Sequence, residues 1–269
     1  MTTMPVTHAR AARAADAPGS GGAPLVPRRY LRLEILRALR NPWTIGFAVV
    51  MPVAMYLLFG AAPEYGEIAT PRGTVAGIVM ANMALFGAIT AAVNVAGSVA
   101  DERGSGWNRQ LRLTPLVPWV YVAAKLLAAL ATALIVVVTV FAVGLATGAK
   151  LVLPALVGAF WFAWVAGTVM FGAFGLAVGY LFRNEAVLGV VGPLLSLFAF
   201  FGGMFIPLDG MGDIRLLAPF TPMYGLRSLL ESMTSGEPVE TAAVLGVAGW
   251  TALFVTVAAW RYRSVAGRE

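Results

Sequence analysis

The sequence predicts an all-α polytopic membrane protein with six transmembrane helices, an N-terminal interfacial helix and re-entrant helices on the outer face. Three observations predict it. Of the 269 residues, 59% are hydrophobic and 12% are charged, whereas a soluble domain carries about 25% charged residues; the mean hydropathy is +0.80. Six long stretches hold no charge at all: Asn41–Pro63, Gly73–Ala100, Leu126–Ala149, Leu151–Phe182, Ala186–Leu208 and Thr241–Trp260. A helix needs about 20 apolar residues to cross about 30 Å of hydrocarbon, so each stretch suffices for one crossing and none for two. These runs are apolar on all sides, which does not fit the alternating strands, of roughly ten residues each, of a membrane barrel.

The same composition excludes a disordered, fibrous or nucleic-acid-binding soluble protein. With no cysteine, the chain has no disulfide framework, thiolate metal site or cysteine nucleophile. Its one histidine, His8, lies in a polar tail and suits neither a zinc site nor a catalytic base. An even number of spans puts both termini on one side. Fifteen of the nineteen Arg and Lys residues fall on that side, and only Arg72, Lys150, Arg215 and Arg227 on the other, beside seven of the thirteen acids. The positive-inside rule makes the termini cytoplasmic in a multi-pass protein of the cell membrane. The net charge of +6 is then membrane topology.

Taken in order, residues 1–27 read as a disordered cytoplasmic tail, and no apolar run follows their charges as a secretory signal would require. Residues 28–41 form an amphipathic helix, with Leu31, Ile35, Ala38 and Leu39 on one arc and Arg29, Arg32, Arg37 and Arg40 opposite. Such a helix lies in the interface with its arginines toward anionic headgroups. Asn41-Pro42 ends it, and Trp43 stands where an interfacial aromatic belongs. The six-span domain then occupies 42–269, with spans at about 43–61, 75–99, 120–147, 152–181, 187–206 and 241–260. Pro52 should kink the first. The second carries Asn82, Thr90, Asn94 and Ser98, which serve either helix–helix hydrogen bonds or a ligand. Spans three and four make a tight antiparallel hairpin around Lys150. Gly175 and Gly179 in span four have a small-xxx-small spacing. After span five, Pro207, Pro219, Pro222 and Pro238 break up apolar pieces too short to cross, so they read as re-entrant or interfacial helices.

No ionisable residue occupies the centre of a predicted span, which argues against a proton- or sodium-coupled transporter and against intramembrane proteolysis. There is no G-x-x-x-x-G-K-[ST] loop, so any uphill work must be driven by another subunit. That subunit must dock on a cytoplasmic loop. Asp101–Pro118 is the candidate: two acids, Gly104 and Gly106, a short helical stretch over Trp107–Leu113, then Thr114-Pro115. Arg109 and Arg112 share one face of that stretch.

From Arg28 onward these features resemble the permease subunit of type-2 ATP-binding-cassette (ABC) exporters, the group that includes daunorubicin-type multidrug efflux permeases. The resemblance rests on the arginine-rich helix running into a proline-containing first span. It rests also on Glu102, Arg103 and Gly106 as an E-R-x-x-G element, and on Leu111, Thr114 and Pro115 as L-x-x-T-P. Late in the chain, FFGGMFIPLDGMG and APFTPMYGLRSLL complete it. Trp107 departs from the small residue the family often has there.

The resemblance implies the type-2 exporter fold and a chain that is not catalytic alone. Two permease copies, expected as a homodimer, pair above two ATPase subunits that bind ATP and Mg; this chain binds no cofactor and no metal. The short helix after span two becomes a coupling helix, with Glu102, Arg103, Gly106, Arg109 and Leu113 as its contact residues. Arg29, Arg32, Arg40 and Trp43 anchor the connecting helix. Spans two and five line the path, with Asn82, Phe86, Ile89, Asn94, Phe198, Phe201 and Met204 as candidates. An uncharged aromatic path suits a hydrophobic or amphipathic drug, antibiotic or lipid-like molecule; packing between helices is the competing role for these side chains. The other function class is an ATP-independent channel or membrane scaffold.

Overall fold

A computed structural model describes residues 28–106, 118–182, 186–205 and 208–266. The described chain is almost wholly helical. Helix α1 covers Arg28–Leu39, α2 Pro42–Phe59 and the short α3 Pro63–Gly66. Helix α4 runs Val75–Gly97 and, after a break at Ser98, continues as α5 over Val99–Gly104. Then come α6 (Pro118–Ala146), α7 (Leu153–Leu181) and α8 (Ala186–Phe201), a 3₁₀ segment (Leu208–Phe220), α9 (Pro222–Ser235) and α10 (Thr241–Ala266). Proline opens α2, α6 and α9, where its missing N–H is not needed and its fixed φ suits the first turn.

Four helical runs are long and apolar enough to cross a membrane: α4 with α5, α6, α7 and α10. Helices α2 and α8, of 18 and 16 residues, are about 27 and 24 Å long at the usual rise. Hydropathy extends span five to residue 206, but the helix stops at Phe201. The Gly203 N–H bonds the Phe200 carbonyl and the Met204 N–H bonds that of Ala199. This is a Schellman closure, and it needs the left-handed φ of +77° that Gly203 adopts. Gly148, at φ +97°, closes α6 by the same pattern.

Helix α4 is the centre of the molecule. It packs against α7, α6, α2 and α9 and is buried along nearly its whole length, from Ala76 to Gly97. Its Ala- and Gly-rich sequence permits this, because small side chains let helices approach without a hydrophobic drive between them. An added Cβ at Gly175 or Gly179 of α7 would lie 2.9 Å from the Val93 carbonyl and 3.0 Å from Val99 Cβ, respectively. The small-xxx-small pair therefore sets the α4–α7 contact. Gly87 does the same toward α2, where an added Cβ would stand 3.0 Å from Pro52 Cγ and 3.3 Å from the Ala48 oxygen. That carbonyl is the one Pro52, lacking an N–H, cannot bond within its own helix.

The side away from the termini holds a feature that hydropathy and charge do not signal. Strands β1 (Ala69–Thr70) and β2 (Gly73–Thr74) form an antiparallel hairpin, and Gly73 bridges to Leu151 in the α6–α7 turn. The segment after α8 is also less peripheral than its short apolar pieces suggest. Met223, Leu226 and Leu230, spaced to share one face of α9, are fully buried in the main core.

Candidate functional site

Helix α5 makes a corner at the end of α4 that lies toward α1 and the start of α6. Its Glu102 side chain turns inward and is 1% exposed. Glu102 Oε1 accepts from Lys125 Nζ of α6 at 2.6 Å and from Arg37 Nη1 of α1 at 2.7 Å. Its Oε2 accepts a short hydrogen bond from the Tyr121 hydroxyl of α6. Lys125 Nζ, 1% exposed, donates as well to Glu34 Oε1 at 2.5 Å and to Ser98 Oγ at 3.0 Å. Two carboxylates thus meet one buried ammonium and one guanidinium that reaches out to solvent, with Arg37 58% exposed. Charges this deep persist only when paired and hydrogen-bonded, and every member here is both. Burial, with the Glu34 and Glu102 carboxylates nearby, pushes the Tyr30 phenol well above its ordinary range, so it stays protonated.

Arg103 points the other way. Its Nη1 donates to the Gly179 and Tyr180 carbonyls at 3.1 and 2.6 Å, and its guanidinium lies 5.8 Å from the Tyr180 ring centroid. Those carbonyls end α7, where the helix dipole is negative and the last carbonyls need donors. Glu102 therefore fastens α5 to α1 and α6, while the adjacent Arg103 fastens it to α7. Replacing Arg103 with alanine should cost about 1–3 kcal/mol, since it strands part-buried carbonyls at the end of α7. Thermal unfolding of the purified protein in nanodiscs would register the loss.

The other candidate residues are distributed as follows. Gly106 ends the corner at φ +76°, and an added Cβ there would meet no described residue within 4 Å. Arg109 and Leu113, with the helical stretch expected over 107–113, lie outside the described residues, as do the side chains of Arg29 and Trp43. Arg32 on α1 and Arg40 just past its end are exposed. In α4, Asn82, Phe86 and Ile89 are buried. An added Cβ on Gly167 of α7 would come within 3.5 Å of Ile89 Cγ1, so Ile89 packs between helices. Phe86 meets Phe205 edge to face at 5.1 Å between centroids, one of the points where span two touches the chain beyond α8. Asn94 Nδ2 bonds the Thr90 carbonyl within its own helix at 2.9 Å. The Asn82 carbonyl oxygen is buried with no partner among the described residues. Phe198 and Phe201 are half-buried on α8, and Met204 is buried in the main core just past the end of that helix.

Glu34, Tyr121 and Lys125 belong to no motif and enter the site only through the fold. A signal was nonetheless present. Lys125 is a lone charge between two apolar runs, and Glu34 is the only acid among the arginines of α1; an isolated charge in an apolar segment calls for a partner.

Comparison with known proteins agrees with this architecture. Residues 29–233 match the family described as ABC-2 type transporter. The chain is also 25% identical, over 210 residues, to a Bacillus subtilis (strain 168) protein named "Putative transport permease YvfS", covering 76% of this chain and 84% of that one.

Proposed function

The chain belongs to the ABC-2 type transporter family, and on that premise we propose that it is the membrane-spanning permease subunit of an ATP-driven exporter for a hydrophobic or amphipathic compound. In this reading α2 and α8 complete six spans, two copies pair, and separate ATPase subunits supply the energy from the cytoplasmic side. The observation that carries the reading is the corner at α5. A motor pressing on the loop after Gly106 would push on a segment bonded to α1 and α6 through Glu102 and to α7 through Arg103. Separating a buried pair leaves an uncompensated charge and costs several kcal/mol, so the corner moves as one body instead of yielding. Helix α4 continues directly from α5, so the displacement passes along it to Phe86 and Phe205, where α4 meets the chain beyond α8. This is a two-state element biased by a ligand bound to another chain.

The test is co-expression with ABC ATPase subunits of the same host, followed by nanodisc reconstitution. Wild type is expected to copurify with the ATPase and to show hydrolysis stimulated by a hydrophobic compound. Arg109→Ala with Arg112→Ala should weaken ATPase binding. Tyr121→Phe should keep binding but lose stimulation, because it removes about 1–3 kcal/mol from the Glu102 contact set. If no ATPase binds wild type and no compound accumulates in inverted vesicles on ATP addition, the exporter reading falls and a channel or scaffold takes its place.

A further inference from the structure

On the side away from the termini, an apolar groove of about 350 Å³ runs between α7 and the end of α9. Its walls are Val152, Pro154, Ala155, Gly158 and Met233, and its single charged group among the described residues is Arg72. The volume sits at the small end of the range for ligand pockets, about 300–1,000 Å³. On the neighbouring stripe of α7, Leu153, Val157 and Trp161 are all exposed, so the groove adjoins a lipid-facing surface. Gly158 lies about 7 Å below the first residue of α7 along the helix axis, while Arg72 belongs to the hairpin turn above it.

Arg72 is held in place from two directions. Its carbonyl accepts from the Val152 N–H at 2.8 Å. Its Nη1 donates to the Ser232 and Met233 carbonyls, at 3.2 and 2.8 Å, where α9 ends. Among the described residues only Nη1 carries side-chain hydrogen bonds, and no carboxylate pairs with Arg72. Arg72 is itself exposed and lines one end of the groove, and a guanidinium is a fork that matches phosphate oxygens.

We propose that this groove is a binding site for an anionic phospholipid of the leaflet opposite the termini, with one acyl chain along Gly158 and the phosphate on Arg72. A guanidinium at the head of an apolar cleft between membrane helices offers a charge partner to a headgroup phosphate. The unneutralised charge favours a net-negative lipid over a zwitterionic one. Bound there, the lipid bridges α7, α9 and the hairpin. The inference rests on membrane insertion alone and is independent of the cargo and of ATPase coupling.

Native mass spectrometry of the purified protein in detergent, titrated with phosphatidylglycerol or phosphatidylcholine of identical acyl chains, tests it. Wild type should retain one phosphatidylglycerol in preference to phosphatidylcholine. Gly158→Leu fills the groove, and an added Cβ there meets nothing within 4 Å. The fold should tolerate it, since leucine is the better helix former, and phosphatidylglycerol binding should fall by about tenfold. Arg72→Gln should abolish the preference between the two lipids while leaving residual binding. Unchanged phosphatidylglycerol binding by a Gly158→Leu protein of normal melting temperature would overturn the site. Equal retention of both lipids by wild type would overturn it too, as ordinary annular lipid.

Discussion

Lys125→Met is expected to lower the stability of the purified protein by roughly 3–5 kcal/mol, the range for removing one partner of a buried ion pair, and to abolish compound-stimulated ATP hydrolysis. Methionine fills nearly the same volume, so little of the loss would be a cavity. The cost arises because Glu34 and Glu102 lose their shared cation while remaining buried, with Arg37 the one ionic partner left near them among the described residues. A triple variant, Lys125→Met with Glu34→Gln and Glu102→Gln, discriminates between charge and shape. With the charges removed together, stability should recover in large part, because apolar or neutral replacements of a whole buried network are often well tolerated. Hydrolysis coupling should stay lost, since the bonds fastening α5 to α1 and α6 are gone. A Lys125→Met protein that melts like wild type and still couples would show that the corner does not act as one ion-paired body.

The second large effect is expected at the α4–α7 contact. Gly175→Leu places a side chain where an added Cβ would already stand 2.9 Å from the Val93 carbonyl and 3.0 Å from Ala96 Cβ. Neither can retreat: the first is helix backbone and the second is a methyl fixed to it. Overpacking of this kind costs about 1–3 kcal/mol and occasionally more; rigid neighbours put Gly175→Leu at the top of that range or above it. Gly158→Leu, the same substitution in the same helix with open space around it, is the internal control and should be neutral or slightly stabilising. The comparison is read as two melting curves in the same nanodisc preparation. Equal melting temperatures would mean that α4 and α7 are not in contact at residues 93–97.

Much of this architecture is legible in the order of the residues. A charge in hydrocarbon is costly wherever it stands along the chain, so the gaps between charges mark the helices: α4 and α7 end within about three residues of their gaps, while α6 starts earlier, with Lys125 inside it, and α10 runs on past Trp260. The first-turn prolines and the Arg-rich face of α1 are equally readable, because they act through local backbone and interface chemistry. The end of α8 is not. Five residues beyond Phe201 are as apolar as the helix itself, and the chain turns only because Gly203 can adopt a left-handed conformation, a choice that composition does not reveal.

The candidate site divides the same way. Glu102 and Arg103 stand out as a motif, and the resemblance to exporter permeases marks them as contacts for a motor. The structure turns Glu102 inward and bonds Arg103 to α7, so both also fasten α5 within the chain. Their partners Glu34 and Lys125 are 91 residues apart, and no local pattern pairs them. By itself the sequence determined that this is a helical membrane protein, where its helices lie and which end is basic, because the cost of a charge in lipid is incurred residue by residue. Only the tertiary structure decided which buried charges neutralise each other, because ion pairing depends on distances of a few ångströms between helices far apart in the chain.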